Sequence, residues 1–263
     1  MEFQSPGPLL SIGCNSIRWY VLCTALGFLV STYTAVILLK SWGYGFSKSI
    51  QAWLTFFTGG LVGARLYYVL ICWQRFAIHP DEVFSSWGSG RSIHGGVIGG
   101  VITAAIYCRV TKFPFLIACD ALGATIPLGQ AIGRWGNFFN SEAFGLPVGE
   151  SYPLKLFIPA PNRPFAYCDE CFFHPTFLYE SVWDLAIFLL LYFFAAKKLR
   201  SYPGSCFLCY VILYSLGRIP IESLRTDSIQ LFGLPSATIA SIISLTVALF
   251  ALVFIWRKNR AVA

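Results

Sequence analysis

IRWYVLCTALGFLVSTYTAVILL, Ile17 to Leu39, decides the architecture. It holds 23 residues and one charge, Arg18 near its start. As a helix it would extend about 35 Å, enough to cross the ~30 Å hydrocarbon core of a bilayer. It is too long for the hydrophobic region of a cleavable signal peptide, lacks a small-x-small exit, and follows a polar, Pro/Gly-containing segment with no basic start. It is expected to be a retained transmembrane helix.

Six further runs of the same kind follow, at about 50–73, 93–108, 115–133, 176–196, 205–222 and 236–256. The expected fold class is an all-α integral membrane protein of about seven transmembrane helices. The 93–108 and 115–133 runs are short and glycine-interrupted, which suggests tilted helices or ones shielded by protein. Composition agrees: 56% of the 263 residues are hydrophobic and 12% charged, against about a quarter charged in a soluble domain. The net charge of +7 comes from scattered basic residues rather than a basic stripe with interleaved aromatics, so no nucleic-acid partner is expected.

Alternate loops, starting after the first span, carry Lys40 and Lys48, Arg109 and Lys112, and Lys197, Lys198 and Arg200; the tail carries Arg257, Lys258 and Arg260. These are ten of the 19 basic residues and none of the 12 acidic ones. The positive-inside rule puts them in the cytoplasm, with the amino terminus outside and the carboxyl terminus inside. Residues 1–263 then form one membrane domain, and the proline- and aromatic-rich 137–175 segment forms a small outer head. Cys168 and Cys171 form a C-x-x-C in that head, a possible local disulfide if that face is oxidising. The second C-x-x-C, Cys206 and Cys209, falls on the opposite face, so no shared metal site is expected.

Ionisable residues within apolar spans are costly and mark function. Four clusters stand out. Arg91-Ser-Ile-His94-Gly95-Gly96 opens the third span, where glycines permit close approach of a helix or a ligand. Gly133-Arg134-Trp-Gly-Asn137-Phe-Phe-Asn140-Ser141-Glu142-Ala-Phe-Gly145 ends the fourth; if the helix continues, Arg134, Asn137 and Asn140 share a face. Tyr214-Ser-Leu-Gly-Arg218-Ile-Pro-Ile-Glu222-Ser-Leu-Arg225-Thr-Asp227 ends the sixth, with Arg218, Glu222 and Arg225 on one stripe. His174-Pro-Thr-Phe-Leu-Tyr179-Glu180 opens the fifth and runs to Asp184; both carboxylates are plausible partners for buried arginines. A guanidinium is permanently charged and shaped for phosphate. Permanent cations, amides and a histidine at the outer span ends describe a site for an anionic, membrane-embedded molecule, most simply a phospholipid headgroup. The rival reading is a transporter or channel for an anionic solute, which predicts polar residues through the midplane. Here they cluster on the outer side.

These clusters resemble the signatures of the prolipoprotein diacylglyceryl transferase family, bacterial enzymes that start lipoprotein maturation. The echoes, with Arg18–Tyr20 and Gly63–Tyr68 as weaker ones, run in family order over about residues 17–227. The family commonly has glycine where Ser141 stands. The resemblance implies a multi-pass protein of the bacterial inner membrane. It implies transfer of diacylglyceryl from phosphatidylglycerol to the lipobox cysteine of a prolipoprotein, releasing glycerol phosphate. No cofactor or metal is expected. His94 becomes the expected base for the thiol, Arg134 and Arg218 the phosphate-binding pair. Asn137, Asn140 and Glu142 would orient the headgroup or Arg134, and Glu222 and Arg225 would hold Arg218. Tyr20, Tyr214 and Gly145 complete the expected substrate site.

Overall fold

The computed structural model describes residues 1–12, 15–85 and 92–260. Among the described residues seven long helices carry the chain: α1 (Trp19–Ser41), α2 (Phe46–Ile71), α3 (Ile93–Thr111), α4 (Phe115–Asn140), α5 (Thr176–Leu189), α6 (Ser205–Glu222) and α7 (Ser236–Arg260). Helix α5 continues through a π turn, Leu190–Ala195, so its apolar stretch runs Thr176–Ser201. Among the described residues six helices are long and apolar enough to cross a membrane; α3, on the expected 93–108 span, is not among the six. The structure thus supports six of the expected seven spans. Helix α4 is longer than the 115–133 run suggested, because Arg134, Asn137 and Asn140 extend it as helical residues rather than ending it.

The chain divides into two compact units, one of residues 36–118 and one of residues 1–35 with 119–263. In the first, α2 and α3 pack backbone to backbone. A Cβ on Gly99 would press on the Gly59 carbonyl oxygen and lie 2.8 Å from the Gly63 Cα. Without side chains at these positions the helices approach closely enough for dispersion contacts that lipid cannot match. Thr103 Oγ donates to the Thr55 carbonyl at 3.2 Å across the same seam. Arg65, 2% exposed, donates from Nε to the Val83 carbonyl and from a terminal nitrogen to the Glu82 carbonyl, fixing the short helix Glu82–Ser85 to α2.

In the second unit, α4 is the central element. Its Gly129 meets Gly27 of α1, where a Cβ would sit 2.6 Å from the Gly129 oxygen, and Ser31 donates to the Thr125 carbonyl at 3.0 Å. Ser181 of α5 donates to the Ala131 carbonyl at 2.8 Å. Asp120, 2% exposed, accepts from the backbone amides of Gly204 at 2.7 Å and Phe207 at 3.0 Å, capping the start of α6. Helix α7 packs along α6.

The 137–175 segment closes over the ends of α4, α5 and α6. Strand β1 (Glu2–Gln4) pairs in parallel with β4 (Lys155–Phe157), which pairs antiparallel with β5 (Phe172–Phe173). A β-hairpin of β2 (Leu9–Ile12) and β3 (Asn15–Arg18) leads into α1. Phe138, Phe144, Leu156, Ile158, Phe173 and Phe177 form one buried cluster joining this sheet to α4 and α5. Residues 144–146 run between two neighbours. Gly145 donates to the His174 carbonyl at 3.0 Å, and Leu146 donates to the Leu224 carbonyl at 2.7 Å. The thiols of Cys168 and Cys171 are free, so no disulfide joins the C-x-x-C here.

Candidate active site

The last turns of α4 aim Arg134, Asn137 and Asn140 along one side of the helix. Ser141 and Ala143 then take left-handed backbone angles, φ 51° and 56°, and the chain doubles back. That reversal returns Glu142 to the helix it has just left. Its carboxylate accepts from the side-chain amides of Asn137 at 3.0 Å and Asn140 at 3.2 Å. Both amides therefore keep their carbonyl oxygens turned away from the shared carboxylate, as acceptors for a ligand's hydroxyl. Tyr20, in the first turn of α1, covers Gly136, where a Cβ would meet its ring at 2.8 Å.

Facing this turn is a cluster of buried charge built from α4, α5 and the end of α6. Glu180, 5% exposed, meets Arg134 Nε at 2.5 Å and Arg218 NH1 at 2.6 Å. Arg218 NH2 meets Glu222 at 2.5 Å, one helical turn on. Arg225, just beyond α6, holds Asp227 through two hydrogen bonds of 3.0 and 2.9 Å and lies 3.6 Å from Glu180. Ser228 donates to Glu222 at 2.7 Å. Glu180 Oε2 and Glu222 Oε2 meet guanidinium nitrogens at ion-pair distance without the alignment of a directed hydrogen bond. Burying charges is costly unless they are paired, and here each arginine has a carboxylate. Burial alone would lower the Arg225 pKa, but its hydrogen bond to Asp227 and the charges of Asp227, Glu180 and Glu222 outweigh this and raise it.

Arg134 departs from that balance. Only its Nε is engaged; its two terminal nitrogens have no partner among the described residues. The guanidinium is held from behind by Glu180 through Nε, which leaves its two terminal nitrogens to donate, the arrangement that binds an oxyanion with two donors.

Ten of the residues expected from sequence, namely Arg134, Asn137, Asn140, Glu142, Gly145, Tyr20, Tyr214, Arg218, Glu222 and Arg225, belong to this one unit. His94 belongs to the other. It is exposed in the first turn of α3, its ring 6.4 Å from that of Tyr67. Arg91 lies outside the described residues. Gly145 sits where the head meets the start of α5. It is the position where a Cβ would strike His174 at 2.7 Å, so its bareness lets the head lie against α5. Glu180, expected only as a partner for an arginine, is the hub of the cluster. Asp227 and Ser228 went unassigned from sequence, and only the spacing Arg225-x-Asp227 hinted at the bidentate pair.

A family model described as prolipoprotein diacylglyceryl transferase matches residues 8–257. The chain belongs to that family. A phosphatidylglycerol–prolipoprotein diacylglyceryl transferase of Trichormus variabilis is 41% identical over 98% of this chain and 93% of its own length. One of Acaryochloris marina is 42% identical over 98% and 94%. One of Thermotoga maritima is 44% identical over 89% and 79%. The backbone at Ser141 is left-handed, a conformation that glycine adopts at no steric cost. The membership and the six spans together make the chain a multi-pass membrane protein and a transferase.

Proposed function

We propose that this protein transfers the diacylglyceryl group of phosphatidylglycerol to the lipobox cysteine thiol of a prolipoprotein, forming a thioether and releasing glycerol phosphate. The observation that carries the reading is the pair of guanidinium groups of Arg134 and Arg218, both fixed by one buried Glu180, in a chain of this family.

The chemistry explains why such a site suits the reaction. The cysteine sulfur attacks the glyceryl carbon that bears the phosphate, a carbon–sulfur bond forms, and the carbon–oxygen bond breaks with its electron pair leaving on oxygen. A singly charged phosphodiester becomes a doubly charged phosphomonoester. Fixed guanidinium groups gain most where that charge develops, and they need no reorganisation as it does. Arg134 and Arg218 carry this role, and Glu222 and Arg225 hold Arg218 in place. A free thiol has a pKa of about 8.5, so a base that takes its proton raises the reactive thiolate fraction. His94 is that base in this reading, its ring nitrogen taking the thiol proton. Asn137, Asn140 and Glu142 orient the headgroup, with Tyr20 and Tyr214 beside it.

The distribution of basic residues supports an amino terminus outside and a carboxyl terminus in the cytoplasm of the bacterial inner membrane, which sets the site at the outer leaflet. The comparisons lend no support to an anion transporter. The test is to incubate purified protein with labelled phosphatidylglycerol and a lipobox peptide. Thioether-linked diacylglyceryl on the peptide supports the proposal; anion flux into liposomes with no modified peptide refutes it.

A further inference from the structure

We infer that Asp184 is the residue that selects the glycerol headgroup, accepting a hydrogen bond from one of its free hydroxyls in the recess between α5 and α6; the inference rests on the transferase reading above. Asp184 is 2% exposed, and its Oδ2 has no hydrogen-bond partner among the described residues. A buried carboxylate oxygen without a donor is rare and costly, and it calls for a ligand or water that supplies one. The nearby arginines make no hydrogen bond to it: Arg134 Nε and Arg218 Nη1 go to Glu180, one turn earlier on the same helix, and the terminal nitrogens of Arg134 reach no partner among the described residues.

Asp184 lines a narrow recess, open on one side, together with Glu180, Tyr214 and Arg218, and with the apolar Trp183, Gly217 and Ile221. Its enclosed space holds about one water-sized group, so a single headgroup hydroxyl enters it while the carbons stay at its mouth. Gly217 shapes it. Any Cβ there would collide with the Trp183 indole, which instead lies against α6 and donates to the Leu213 carbonyl at 3.0 Å.

The polarity of the recess fixes which part of the lipid enters. Two carboxylates, Glu180 and Asp184, repel a phosphate. The phosphate therefore stays on the guanidinium groups, and the headgroup beyond it reaches Asp184 with neutral O–H donors. A headgroup without hydroxyls would leave the buried oxygen unsatisfied. A site built to bond a substrate hydroxyl rejects analogues that lack it far more strongly than an apolar pocket does.

The test compares phosphatidylglycerol with phosphatidylpropanol, which has the same charge and carbon count but no hydroxyls, as donors to a lipobox peptide. Wild type should favour phosphatidylglycerol by about 100-fold or more in kcat/KM. Asp184→Ala should bring that ratio below about 10, and Asp184→Asn, which keeps one acceptor, should fall between. The ratio is taken within one preparation, so a smaller folded fraction does not move it. Should Asp184→Ala not accumulate, Asp184→Asn serves. A wild-type ratio near one, or a ratio unchanged in the variants, overturns the inference while the reaction stands. Thioether product from neither lipid overturns both.

Discussion

Replacing Glu180 with glutamine removes one negative charge from the centre of the arginine cluster and keeps the side chain's shape. The native carboxylate, 5% exposed, faces Arg134 at 2.5 Å and Arg218 at 2.6 Å. Truncating one member of a buried ion pair costs about 3–5 kcal/mol. The amide still accepts a hydrogen bond, so the loss should be nearer 1–3 kcal/mol, roughly that of an imperfectly satisfied buried group. If that loss falls on the transition state, kcat drops about 10- to 100-fold, at about 1.4 kcal/mol per tenfold. The charge balance fixes the other parameter. Without Glu180 the cluster is one unit more positive, so affinity for an anionic lipid is kept or tightened, and KM should be unchanged or lower. Loss of kcat without loss of binding marks interactions made in the transition state. Because Glu180 acts through the arginines, adding Glu180→Gln to Arg134→Ala should slow the reaction far less than the product of the single effects. The assay is steady-state thioether formation from labelled phosphatidylglycerol in mixed micelles. A raised KM with unchanged kcat, or independent single effects, would refute the reasoning.

Three further outcomes follow from the fold. Ser141→Gly relieves a left-handed residue (φ 51°) and should stabilise the protein by up to about 1 kcal/mol, raising Tm by about 2–4 °C with activity unchanged. Gly99→Leu forces a side chain onto the Gly59 carbonyl and the Gly63 Cα, so it should cost at least about 1–3 kcal/mol and lower Tm in detergent. Burial lowers the pKa of His174, so the folded protein binds that proton less readily than the unfolded chain, whose histidine titrates near about 6.5. Its contribution is therefore complete above about pH 6.5 and lost as pH falls through the window below. Tm should drop between pH 7.5 and 5.5, and His174→Gln should flatten that slope.

The spans were legible because a bilayer imposes a length and a solvent, and apolar runs of the right length meet both. The exceptions to apolarity were legible for the same reason: Arg134, Asn137, Asn140, Arg218 and Glu222 stand out against lipid-compatible sequence. The partners were not. Glu180 and Asp184 are one turn apart and chemically alike, yet among the described residues one pairs with three arginines and the other with none, a distinction set by how α5 rotates against α4 and α6. Strand β1 pairs with β4 across some 150 residues, and three apolar and polar residues at the amino terminus carry no signal of that partner. The left-handed turn at Ser141 and Ala143 was equally hidden, because neither residue is the glycine or asparagine that announces such angles. The 93–108 glycines were legible as packing residues, and their seam with α2 follows from the absence of side chains on both helices.

The most direct measurement is a structure of the protein with phosphatidylglycerol bound in a lipid nanodisc. A lipid phosphate with oxygens about 2.7–3.2 Å from the terminal nitrogens of Arg134, and adjacent to Arg218, is the predicted result. A phosphate bound elsewhere, with the Arg134 fork still empty or turned toward acyl chains, would contradict it.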